Sequence, residues 1–278
     1  MENYSVLMSV YIKEKPQFLS SSINSILEQT VLTDDFVLVC DGPLTDDLNS
    51  VISKYVNKYP GLFNILRLEK NVGLGRALNA GMQVCRNELI ARMDSDDISI
   101  KDRCERQLRK FESNPELDIL SGTVLEFEGR EDNIISAKKL PERNDDIHRY
   151  AKRRCPFNHP AVMYKKSSVL KAGGYLDFPL FEDYYLWIRM MRRGVTAYNI
   201  PEPVCLMRGG VDMYSRRGGM SYLKKAWRFR LYMLKNGYCG FADFFSSMTG
   251  QFIMAVLPAR LRMYLYMKIL RGREARRD

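Results

Sequence analysis

No C-x-x-C pair occurs in this chain. Its six cysteines, Cys40, Cys85, Cys104, Cys155, Cys205 and Cys239, are scattered without zinc-type spacing. A disulfide framework would be unusual in a chain of 278 residues, so reduced cytosolic thiols are expected. The N-terminus lacks a charged segment followed by an apolar run; residues 6–12 are short and strand-like, and no signal peptide is expected. A membrane-crossing run is missing as well. Residues 241–257 include Asp243, Gln251 and several hydroxyls, whereas a spanning helix needs about 20 mostly apolar residues. Histidine is scarce, with two in the chain, and His159 stands before a proline, where a structural role is the default.

What is present fits a folded globular protein, with 46% hydrophobic and 27% charged residues. The net charge of +10 is unevenly placed. Residues 1–200 hold 28 Lys/Arg and 28 Asp/Glu, while residues 201–278 hold 15 Lys/Arg and 5 Asp/Glu. The whole excess lies at the C-terminal end, which points to an anionic partner there: a membrane surface, a phosphate-bearing substrate or nucleic acid.

Apolar runs at 4–12, 36–40 and 64–68 read as buried strands, and helical stripes at 18–29 and 48–59 separate them. Strand, helix, strand, helix, strand gives a parallel sheet covered on both faces, with ligands beyond the carboxyl ends of its strands. The fourth apolar strand runs into Asp94, Asp96 and Asp97 (R-M-D-S-D-D from Arg92). Carboxylates this close repel one another and call for a cation or donors. Oxygen ligands of this kind suit Mg2+ or Mn2+. The plainer reading makes Asp97 a helix cap.

Asp41 also lies at a strand end. Arg76, in N-V-G-L-G-R-A-L-N-A-G, leads into a helix near Ala77, an arrangement suited to an anion. Its G-x-G follows the third strand rather than the first, so it is not a dinucleotide fingerprint. Residues 101–113 read as a helix, 118–127 as a strand, 128–146 as an exposed hairpin or loop, and 167–172 as a short helix closing on Gly173-Gly174-Tyr175. At 181–193, Tyr184, Trp187 and Met191 form a helical apolar face. Glu182 and Asp183 occupy its first turn, either as dipole partners or as a general base.

These segments together resemble the family 2 glycosyltransferases, which have the GT-A fold. The resemblance is carried by S-V-L-M-S-V-Y (5–11), Asp41, N-V-G-L-G-R-A-L-N-A-G (71–81), R-M-D-S-D-D (92–97), N-H-P-A-V-M-Y (158–164), A-G-G-Y (172–175) and F-E-D-Y-Y-L-W (181–187). It covers about residues 4–208, and M-Y-S-R-R-G-G (213–219) is similar to a subgroup that builds bacterial exopolysaccharide, capsule or O-antigen units, including the amylovoran-type transferases.

The resemblance implies a Rossmann-like, mainly parallel α/β sheet over residues 1–208, followed by a basic helical extension over 209–278. It implies that Tyr11 and Asp41 contact the nucleotide base, with uracil and hence a UDP-sugar donor expected, and that Arg76 lies near the nucleotide. Asp94 and Asp96 correspond to the D-x-D pair that meets ribose and the Mg2+ or Mn2+ ion; Asp183 matches the catalytic base, with Glu182 beside it. His159 and the 173–175 turn would line the acceptor side, and Arg216 and Arg217 would close over the diphosphate. A Q-x-x-R-W motif is lacking. Cys205 and Met207, both soft, stand where a third protein ligand could follow, so diphosphate and water are expected to complete the metal shell.

The implied reaction is inverting transfer to a saccharide acceptor, polyisoprenyl-diphosphate-linked, on the cytoplasmic face of a bacterial membrane. The basic stripe at 220–234 and the mixed 259–277 segment suit interfacial attachment, at roughly 1 kcal/mol per basic residue near anionic lipid. A sugar-nucleotide nucleotidyltransferase would want a Gly-rich, Arg-containing loop after the first strand, where Tyr11-Ile12-Lys13 stands. A non-catalytic nucleotide-sugar-binding scaffold would not depend on Asp183. Nucleic acid is not an expected partner.

Overall fold

The computed structural model describes residues 2–209 and 219–258. Four parallel strands open the chain: β1 (Tyr4–Val10), β2 (Asp35–Cys40), β3 (Phe63–Arg67) and β4 (Leu89–Asp94). Between them run α1 (Pro16–Leu27), α2 (Asp46–Lys58) and α3 (Leu74–Val84). Pro16 starts α1 where no backbone donor is needed, and the Thr45 hydroxyl accepts from the Leu48 N–H at the start of α2.

The strands then change direction. The second half comprises β5 (Ile98–Ser99), α4 (Arg103–Ser113), β6 (Leu117–Phe127), β7 (Ile134–Lys138), α5 (Asn144–Ala151), a 3-10 turn (His159–Ala161), β8 (Met163–Lys165), α6 (Lys166–Lys171), α7 (Glu182–Arg192) and β9 (Thr196–Arg208). One sheet results, in the order β3-β2-β1-β4-β8-β6-β9-β5, with β7 beside β6. β8 is antiparallel to β4 and β6, and β9 runs parallel to β6.

Alternation along the strands divides the core between the two faces. Val6, Met8, Phe36 and Leu38 meet Leu19, Ile23, Leu48, Ile52 and Leu108 from α1, α2 and α4. Leu7, Val37, Val39 and Ile90 meet Leu78, Met82, Leu186 and Trp187 from α3 and α7. β1, β2 and β4 therefore read as near-continuous apolar runs because both faces are covered, whereas the edge strand β3 is only partly buried.

Two helices complete the described chain, α8 (Gly219–Lys235) and α9 (Phe241–Val256). Phe229 of α8 stacks on Phe181 at 4.7 Å, and Ala226, Met233 and Phe244 pack with Tyr184 and Ile188. Buried Arg230 donates to the Lys152 and Arg153 carbonyls and to the Tyr184 hydroxyl. No helix among the described residues is long and apolar enough to cross a membrane.

The hairpin expected at 128–146 is made by β7, antiparallel to β6, and the stretch also holds the start of α5. One local expectation changes. Asp97 does not cap the following helix: α4 starts at Arg103 with Asp102 in the cap position. The long strand β9 passes through Pro201 and Pro203, whose register shifts against β6 hid it from the periodicity.

Candidate active site

The order β3-β2-β1-β4 places successive strands on opposite sides of β1, and the crevice beyond β1 and β4 is the switch point of the sheet. Ser9 pairs with Asp94 across it, so Tyr11 and the aspartates emerge side by side. Tyr11 is 43% exposed there.

Asp94, Asp96 and Asp97 each present an oxygen within 4.8 Å of the others. Their surroundings differ. Asp94 is held bidentately by Arg92, whose Nη1 donates to Oδ2 at 2.7 Å and whose Nη2 pairs with Oδ1. The Arg92 guanidinium is buried, and its Nε has no protein partner. Asp97 is also buried; one of its oxygens accepts the Arg208 N–H at 2.8 Å. Arg208 Nε donates to the Asp96 carbonyl, and its guanidinium lies over Phe18 at 3.7 Å.

Burial, and then the charges of Asp94 and Glu14, push the Asp96 carboxyl up to about 7. Burial and both neighbouring carboxylates push Asp97 well above the usual range. One buried arginine does not balance three acids. Oxygen donors clustered this tightly, with protons favoured in place of charge, fit a hard divalent cation. Glu14 tightens the site from the other side, accepting from Ser95 Oγ at 2.6 Å. Cys205 stands nearby as a thiol, held protonated by burial and by Asp97.

Asp41 is 4% exposed and faces the loop before α3, accepting from the Val72 and Gly73 N–H groups at 2.7 and 3.1 Å. That loop passes close to Gly42, where φ is +88° and a Cβ would lie 2.6 Å from the Asn71 nitrogen. Only glycine tolerates both conditions. Arg76 is exposed and pairs with Asp177. The pair links α3 to the loop that leads into α7.

Asp183 begins α7. Its Oδ1 accepts the Tyr184 N–H at 2.7 Å, and the Cys155 thiol donates to Oδ2 at 3.7 Å. Burial and the Asp183 charge push that thiol up, so it remains a donor. Glu182 is raised by burial and lies near Gly75 of α3, where a Cβ would come within 3.8 Å of its side chain. His159 meets the Tyr175 hydroxyl at 3.0 Å and packs among Tyr175 and Trp187. Burial and the Arg92 charge keep its imidazole neutral, well below the usual range.

Tyr175 connects the two halves. Its phenol is raised by burial, and Arg92, Asp183 and Asp94 all act on it electrostatically. Tyr175 thus lies within electrostatic reach of both the acidic cluster and the first turn of α7. Arg216 and Arg217 lie outside the described residues. The sequence did not single out Arg92, Glu14, Cys155 or Arg208. Arg92 lies two residues before Asp94 in a strand, a same-face spacing that was available as a signal.

The profile of glycosyl transferase family 2 matches residues 5–172. The amylovoran biosynthesis glycosyltransferase AmsE of Erwinia amylovora is 38% identical over 97% of this chain and 100% of its own length. A UDP-Gal:alpha-D-GlcNAc-diphosphoundecaprenol beta-1,3-galactosyltransferase of Escherichia coli is 38% identical over 96% of both. Among solved structures, the Pyrobaculum calidifontis mannosyltransferase PcManGT, in complex with GDP-Man and Mn2+, superposes with a TM-score of 0.64. It is 14% identical, covering 95% of this chain and 74% of that one. Staphylococcus aureus TarS 1–349 in complex with UDP gives 0.57 at 15% identity, over 94% and 68%. At such identities these two structures speak to the fold, which is GT-A. The chain belongs to glycosyl transferase family 2.

Proposed function

We propose that this glycosyltransferase is inverting and metal-dependent, and that it moves a sugar from a UDP-sugar to a saccharide acceptor linked to a polyisoprenyl diphosphate. The observation that carries the reading is the cluster of Asp94, Asp96 and Asp97 at the carboxyl end of β4, whose oxygens lie within 4.8 Å of one another. The relatives named for amylovoran biosynthesis and for a diphosphoundecaprenol acceptor support surface polysaccharide as the product class.

Asp94 and Asp96 would hold Mg2+ or Mn2+, which supplies positive charge opposite the donor's diphosphate. Asp94 reaches that role already oriented by Arg92. Tyr11 and Asp41 bracket the base at the ends of β1 and β2, with Asp41 first fixing the loop beneath it. Arg76, Arg216 and Arg217 are assigned to the nucleotide and its phosphates.

Asp183 takes the proton of the acceptor hydroxyl as that oxygen attacks the anomeric carbon. The bond from that carbon to the diphosphate oxygen breaks, and the nucleoside diphosphate leaves with inverted configuration at the sugar. Asp183 suits the task because one oxygen is fixed by the helix N-terminus and the other meets only a weak thiol donor. Glu182 and neutral His159 border the acceptor side. Lys224, Lys225 and Arg228 on α8, with no acid in that helix, support a peripheral position on the anionic inner face of the bacterial cell membrane.

Asp183→Asn is the test. Transfer should fall by roughly 10²–10⁴-fold while binding of the nucleotide sugar with Mn2+ is kept. Unchanged turnover removes Asp183 as the base. Failure of every nucleotide sugar to bind, with Mg2+ or Mn2+ present, overturns the reading.

A further inference from the structure

Helices α8 and α9 meet along an open cleft of about 620 Å3. Leu223, Trp227, Met248 and Phe252 give its apolar walls, and Lys224 and Arg228 line it too. The volume is that of a ligand cleft. Trp227 is 49% and Phe252 53% exposed, apolar surface that a closed helix pair would cover. Lys224 and Arg228 stand four residues apart on one face of α8, and no carboxylate pairs with either among the described residues. Their stems can follow the apolar wall while the charged ends stay at its edge. Apolar walls with two cations at one edge are complementary to a long apolar chain that ends in an anionic group.

We infer that this cleft takes the isoprenoid chain of the acceptor, with the acceptor's diphosphate against Lys224 and Arg228. The inference rests on the lipid-linked acceptor proposed above. Its position agrees with that use. The other face of α8 carries Phe229, stacked on Phe181, and Phe181 directly precedes Glu182 and Asp183. The chain is then held about one helix diameter, roughly 10 Å, from the element that carries the base. A diphosphate and one sugar can bridge such a gap.

Farnesyl diphosphate and the full chain test this by binding alone. Trp227 is one of two tryptophans and the other, Trp187, is fully buried, so saturable binding should shift Trp227 emission to the blue. Thr249 is exposed at the cleft, and Thr249→Phe should fill it and weaken binding at least tenfold, whereas Thr249→Ser keeps it. The double variant K224Q/R228Q should weaken farnesyl diphosphate at least tenfold and farnesol little. Absence of saturable binding, or binding indifferent to Thr249→Phe, overturns the inference. So does a Thr249→Phe protein that loses affinity for anionic vesicles as strongly without farnesyl diphosphate as with it, since the bilayer is then the occupant. Binding as described, with no transfer to any lipid-linked saccharide, supports the cleft and overturns only the acceptor reading.

Discussion

Removing one charge from the acidic cluster should stabilise this protein at alkaline pH. Asp96 sits at about 7 in the folded chain against an ordinary 3.8, with burial the main cause and Asp94 next. A raised carboxyl binds its proton more tightly folded than unfolded. Its contribution is therefore complete below about pH 3.8 and is lost as pH rises through 7. A difference of about three pH units corresponds to roughly 4 kcal/mol at 1.4 kcal/mol each. Partial access of water to Asp96 and sharing of the proton with Asp97 lower the expected figure to about 2–4 kcal/mol. Asp96→Asn removes the titrating group and keeps the shape. In EDTA the variant should exceed the wild type by about 2–4 kcal/mol at pH 8.5, or roughly 5–10 °C in Tm, and by about half as much near pH 5.5, where the loss is only part complete. Urea unfolding at both values of pH measures it, and the difference between the two proteins isolates Asp96 from other titrating groups. Millimolar Mn2+ should stabilise the wild type at pH 8.5 more than the variant, because the cation supplies the missing countercharge. A variant no more stable than wild type at pH 8.5 refutes the crowding argument.

Arg92→Met leaves Asp94 without its countercharge and should cost about 2–4 kcal/mol in EDTA, partly restored by Mn2+; denaturant melts with and without metal check it. Gly42→Ala meets both a positive φ and the Asn71 backbone, and should lose about 2–4 kcal/mol and weaken nucleotide binding through the displaced 71–73 loop, as calorimetry would show. Trp187→Ala empties the aromatic cluster behind His159 and should cost about 3–5 kcal/mol by thermal melt. Cys155→Ala removes a weak donor from Asp183 and should leave stability within about 1 kcal/mol while shifting the acid limb of the pH–rate profile upward.

The parallel half of the sheet was legible because β1, β2 and β4 are buried on both faces, which leaves unbroken apolar runs. The clustering of the aspartates was legible for the opposite reason: three carboxylates within four residues close an apolar strand. What stayed hidden depends on tertiary contact. Asp97 read equally well as a helix cap until its partner proved to be the Arg208 N–H, 111 residues away. Arg92 looked like an ordinary strand residue because its side chain is enclosed by elements far along the chain. β9 was masked by its prolines. The duty of Asp41 toward Val72 and Gly73 is likewise a contact between loops, which periodicity does not report.

Arg230 gives the C-terminal helices a mechanical meaning. The charge of the chain changes abruptly near residue 208, but the packing does not: one guanidinium grips two carbonyls of the segment before Cys155 and the hydroxyl of Tyr184, while Phe229 lies flat on Phe181. The α8–α9 hairpin is therefore anchored to the start of α7, and the turn that carries Asp183 shares one packed cluster with the C-terminal helices.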